Sequence, residues 1–83
     1  MRLYAWNEGT VRAGKVWSED LVDDPESDDL VCYYGTETEL IDQARTLLRE
    51  SATAGAGRDL WMRRVARGLL EHCGLELADI EEE

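Results

Sequence analysis

Apolar and polar positions alternate at the start of the chain. Leu3 and Ala5 fall on one side of an extended segment and Tyr4 and Trp6 on the other. This period-two pattern, rich in strand-favouring aromatics, predicts a β-strand over residues 2–7. Asn7-Glu8-Gly9-Thr10 supplies turn residues, and Val11, Ala13, Val16 and Trp17 return over 11–17, so a hairpin is expected. Gly14 marks either a bulge or a weak point in the second strand. Leu30-Val31-Cys32-Tyr33-Tyr34, ended by Gly35, predicts a third strand, expected to be the central or best-buried one.

The period then changes. Thr36-Glu37-Thr38-Glu39 is a capping box, in which the Thr36 hydroxyl serves the amide of Glu39 and the Glu39 carboxylate serves the amide of Thr36. Leu40, Ile41, Ala44, Leu47 and Leu48 follow at i, i+1, i+4, i+7 and i+8, one apolar face of a helix over 37–52. Ala54-Gly55-Ala56-Gly57 breaks it. A second helix, over 58–73, carries Trp61, Val65, Leu69 and Cys73 at spacings of four, with Leu60, Met62, Ala66 and Leu70 widening its apolar surface. Gly74 is placed to end it. Residues 75–80 read as a short fourth strand or an extended tail, and Glu81–Glu83 as a solvated, mobile end. The pattern predicts an α+β fold: an antiparallel sheet of three or four strands with two helices packed on one face, in the order β-β-β-α-α. Residues 1–83 make one domain, the size at which a modest core is buried.

Charge changes the picture most. The net charge is -10. Glu19, Asp20, Asp23, Asp24, Glu26, Asp28 and Asp29 put seven carboxylates into eleven residues with no Lys or Arg among them. Pro25 and the dense like charge argue against a packed element there, leaving a loop that Leu21 and Val22 can pin to the body. Glu76, Asp79, Glu81, Glu82 and Glu83 form a second cluster. Such a field repels nucleic acid and attracts basic surfaces, so the seven residues of the run are the candidate partner-binding site. Stretched at about 3.3 Å per residue, the run would cover about 36 Å, a charge density of the same order as one phosphate per about 3.4 Å of a nucleic-acid strand. A solvated loop without a partner is the plainer account. Acidity from a high-salt source predicts acids spread over the surface, whereas these are clustered. Arg58, Arg63, Arg64 and Arg67 flank the second helix, where they can neutralise the run internally or bind an anion; the first is the more economical.

Other chemistry is sparse. Cys32 and Cys73 form no spaced motif and are expected as small buried apolar residues rather than a disulfide. With His72 they lack zinc-ligand pairing, and the acidic run lacks the spacing and central Gly of an EF-hand loop, so no metal or other cofactor is expected. Gly55-Ala56-Gly57 follows a helix rather than a strand and reads as a connector, not a phosphate cradle. One His and no nucleophile motif leave nothing to carry a reaction, so no enzyme is expected. No apolar run reaches the length of a membrane span, and the first residues are too polar for a signal peptide, which makes cytoplasm the expected location.

In small size, acidity and absence of catalytic motifs the chain resembles the acidic inhibitors encoded by bacteriophages, including nucleic-acid mimics and anti-CRISPR proteins. The likeness is one of profile and carries over no residue. It implies a basic protein partner, a nucleic-acid-binding complex blocked at its DNA-binding groove, with no direct binding of nucleic acid. The alternative is an antitoxin or assembly-type partner-binding protein. Its contact would be an aromatic face of the sheet, left open by helices on the other side, or an amphipathic helix.

Overall fold

The computed structural model describes residues 1–78. It is α+β, with strands β1 (Arg2–Trp6), β2 (Val16–Ser18) and β3 (Leu30–Tyr34) followed by helices α1 (Glu37–Ser51) and α2 (Arg58–His72). The sheet is antiparallel, in the order β2-β1-β3. β1 is therefore the central strand. β3, expected there, is an edge strand with every residue at least partly exposed. Its apolar run reflects one side packed on helices and one side of aromatic and thiol groups, not burial on both. β1 pairs Tyr4 with Trp17 on one flank and with Cys32 on the other, so these three share a face.

The hairpin is shorter than the pattern predicts. Residues 11–14 fold into turns, with Ala13 N donating to Thr10 O (3.2 Å) and Lys15 N to Arg12 O (2.9 Å), and Val11 is fully exposed. Gly14 N donates to Trp6 O and Trp6 N to Lys15 O, both at 2.9 Å. Two residues thus face one, with Gly14 at φ +84°: the expected bulge, of the kind that needs a left-handed glycine.

The capping box of α1 forms as predicted, at 3.2 Å from Glu39 N to Thr36 Oγ1 and 3.1 Å from Thr36 N to Glu39 Oε1. Leu40, Ala44 and Leu47 are buried from α1, and Trp61, Met62, Val65, Ala66, Leu69 and Leu70 from α2. They close over Leu3 and Ala5, so both helices lie on one face of the sheet. Leu60, expected to widen this surface, is half exposed instead. α2 ends in a Schellman turn: Leu75 N donates to Leu70 O (2.8 Å) and Gly74 N to Glu71 O (3.1 Å), with Gly74 at φ +77° and Leu75 packed on the core. That turn redirects the chain, and residues 75–78 join no strand. The rest of the expected fourth strand, and the 81–83 tail, lie outside the described residues.

Both sheet edges are partly closed by helix side chains. His72 Nε2 donates to Val16 O of β2 (3.2 Å) and Gln43 Nε2 to Tyr34 O of β3 (3.2 Å). Each removes an acceptor that another strand would use.

Candidate functional site

The topology fixes where the acidic run goes. β2 and β3 are both antiparallel to β1 and so parallel to each other. Ser18 ends β2 beside Leu3, and Leu30 starts β3 beside Trp6 at the far end of β1. The helices occupy the Leu3/Ala5 face. Residues 19–29 therefore cross the opposite face diagonally, and the 3-10 turn at their start (Glu19–Leu21) packs on β1. This explains Tyr4, which points away from the helices and is still only 5% exposed. The expected open aromatic face does not exist in that form.

The crossover is built from turns. Val22 N donates to Glu19 O (3.3 Å) and Ser27 N to Asp24 O (3.1 Å). Asp24 Oδ1 accepts from Glu26 N (3.3 Å), with Pro25 between, the residue types that favour a β-turn. Ser27 starts the next turn: its carbonyl accepts from Leu30 N (3.2 Å) and its hydroxyl from Asp29 N (3.2 Å). Asp29 O then accepts from Asn7 N (2.7 Å), which ties the far end to the sheet. Val22 is half-buried and pins the segment, whereas Leu21, expected to help, is 63% exposed. The run is thus not stretched along a line. Its turns gather the charge into a patch.

Glu19, Asp20, Asp23, Asp24, Glu26, Asp28 and Asp29 are all exposed. None makes an ion pair among the described residues. Among the described residues the α2 arginines do not neutralise the run: Arg58 pairs with Glu8 and Arg67 with Glu71, one turn along the same helix. The reason is topological, because α2 packs on the face that the crossover avoids. The same seven residues form no cluster able to hold a metal ion.

Arg12, which the sequence pattern did not single out, closes the remaining aromatics. Its guanidinium sits 5.2 Å from the Trp6 ring centre and 4.8 Å from that of Trp17, and the two indoles meet edge to face at 5.3 Å. Trp61 instead ties α2 to the hairpin, its Nε1 donating to Trp6 O (2.8 Å). Tyr33 and Tyr34 face opposite ways, as alternation requires. Tyr33 packs beneath the helices, where burial pushes its hydroxyl above the ordinary value against the pull of Arg58. Tyr34 is 67% exposed.

Both thiols are free. Cys32 is exposed on the crossover face rather than buried as expected. Cys73 is half-buried at the end of α2, where burial and then the Glu37 carboxylate push its thiol up. No described helix is long and apolar enough to cross a membrane. Comparison with protein-family models, with curated proteins and with solved structures returned no match to this chain.

Proposed function

We propose that this protein is a non-enzymatic inhibitor or regulator acting in a cytoplasm, and that its acidic crossover binds the basic surface of a nucleic-acid-binding protein. The observation that carries the reading is the set of seven exposed carboxylates, unpaired among the described residues, on a segment tied to the sheet at both ends. A partner cation meets them without first breaking an internal ion pair. The turns fix much of the backbone beforehand, which lowers the ordering cost of binding. Complementary charge then supplies rapid, steered encounter and selection against acidic partners. A patch suits a concave basic surface better than a groove that follows one phosphate after another. A phage-type inhibitor of a nucleic-acid-binding complex fits this description. The alternative, contact through an aromatic sheet face, has less to work with, since Tyr4 is buried and Trp6 and Trp17 lie under Arg12.

The test replaces Asp23, Asp24, Glu26, Asp28 and Asp29 by Asn or Gln. Asn at 24 keeps the oxygen that the Glu26 amide needs. Wild type and variant are then immobilised and challenged with a bacterial lysate. Wild type is expected to retain a basic nucleic-acid-binding protein that leaves in rising salt and in added DNA, and the variant is expected to lose it. Equal retention of the same protein by a folded variant would sink the proposal.

A further inference from the structure

The basic groups of this acidic chain are not spread evenly. Arg12, Lys15, Arg64 and Arg67 line one groove of about 450 Å³, together with His72 and a single acid, Glu71. These are four of the nine Lys and Arg residues and include the only lysine. The groove lies between the loop before β2 and the exposed flank of α2. Gly14 and Gly68 bring its walls together: a Cβ on Gly14 would stand 2.7 Å from Arg64 Cβ, and one on Gly68 would stand 2.5 Å from Val16 Cγ2. Arg67 shares its charge with Glu71 at 3.0 Å. Arg12 is held against indole rings and makes no ion pair among the described residues. Lys15 and Arg64 make no ion pair among the described residues. Arg12, Lys15 and Arg64 thus line one groove, none of them in an ion pair among the described residues, in a chain of net charge -10. If these residues served only to balance the acids, they would be expected beside acids.

The geometry points to a binding site for a small multivalent anion of the phosphate or phosphate-ester class, separate from the acidic crossover and independent of its role. The size is in the range of small-ligand sites, about 300–1,000 Å³. The ends of the groove decide against a polymer. Beyond Arg64 the surface continues into a depression lined by Glu8, and beyond Arg67 into one lined by Glu71 and Glu76. A phosphodiester chain leaving either end would run past these carboxylates, whereas a compact anion held between Lys15 and Arg64 has Glu71 as the one acid of the groove lining. Arginine forks and a lysine point charge are the donors that anionic oxygens select.

Arg12 also supplies a reporter, because an anion that draws its guanidinium off Trp6 and Trp17 changes their emission. The experiment titrates the full chain with inorganic pyrophosphate, by calorimetry and by Trp fluorescence, at ionic strength held constant with chloride. The variants are Lys15→Gln and Arg64→Gln. The second keeps the Cβ, Cγ and Cδ positions that Gly14 packs against, and thermal melts check both folds. Saturable sub-millimolar binding is expected in wild type, weakened at least tenfold in each variant. Absence of saturable heat, equal affinity in both folded variants, or tighter binding of a single-stranded DNA oligonucleotide than of pyrophosphate would each overturn the assignment. The variant neutralised in the acidic crossover separates the two sites: its pyrophosphate affinity is expected to equal or exceed that of wild type.

Discussion

Gly68 and Gly55 show at the residue scale how close approach, rather than residue type, sets tolerance. Gly68 lies within α2, where alanine would gain about 1 kcal/mol of helix propensity. Its added Cβ would, however, stand 2.5 Å from Val16 Cγ2 and 2.7 Å from Val16 Cβ. The second atom is a branch point next to the backbone, so β2 itself must shift. Overpacking of this kind costs about 1–3 kcal/mol, which outweighs the propensity gain. Gly68→Ala is therefore expected to lower the denaturant midpoint. Gly55, in the connector, has nothing within 4 Å of an added Cβ and no left-handed backbone. Gly55→Ala is expected to be neutral or to stabilise by about 0.4–1 kcal/mol, by restricting the unfolded chain. A larger loss for Gly55→Ala than for Gly68→Ala, in urea unfolding, would show that the α2–β2 packing is misassigned.

Helix α1 illustrates how far an element can be read before its surroundings are known. Its start was legible in Thr36 and Glu39 because both partners of a capping box lie within four residues of sequence, and the apolar stripe from Leu40 to Leu48 set the buried face. Thr36→Ala removes the acceptor of the Glu39 amide and is expected to cost about 1 kcal/mol, read as a lower midpoint with little change in partner binding. An unchanged midpoint would mean that water replaces the cap without loss. The strands were less legible. Val11 and Ala13 continue the alternation of a strand, yet Gly14 and the turn at Thr10 hold this segment as a loop. Two alternating residues carry little information when one of them faces solvent. Pro25 and dense charge mark the acidic crossover as a loop in the sequence, and its order is hinted at only by Asp24-Pro25 and Ser27, the residue types of two successive turns.

Across the whole molecule, charge is separated by the topology. The crossover places seven carboxylates, unpaired among the described residues, over one face of the sheet, while the groove beside α2 gathers four cations. Like charges in the crossover repel with no ion pair among the described residues to relieve them, so the native state carries a penalty that salt screens. The Debye length falls from about 30 Å at 0.01 M to about 10 Å at 0.1 M and about 3 Å at 1 M ionic strength. The melting temperature is accordingly expected to rise with added sodium chloride. It is expected to rise less in the variant neutralised at Asp23, Asp24, Glu26, Asp28 and Asp29, which should already melt at or above wild type in low salt. Surface changes of this kind otherwise move stability by about 0.5 kcal/mol or less. Equal salt response in wild type and variant would place the repulsion elsewhere in the chain.

The α+β class, the order of strands and helices, the main buried face of each helix, the cap of α1, the glycine stop of α2 and the position of the acidic run are all legible in the order of residues. These follow from local rules: periodicity, caps and turn chemistry act between residues a few places apart, and each left its mark in the order of residues. Long-range pairing and packing set β1 at the centre and β3 at an edge, and lay the acidic run across Tyr4 rather than back on the α2 arginines. The same packing puts Arg12 over two indoles and makes Lys15 and Arg64 part of the lining of one groove. The physical reason is strand pairing. Either outer strand can satisfy the hydrogen bonds of a neighbour, and the choice rests on which arrangement lets both helices bury Leu3 and Ala5 together. Once that choice places β2 and β3 on opposite sides of β1, the connection between them has one free face to cross, and the site follows from that route.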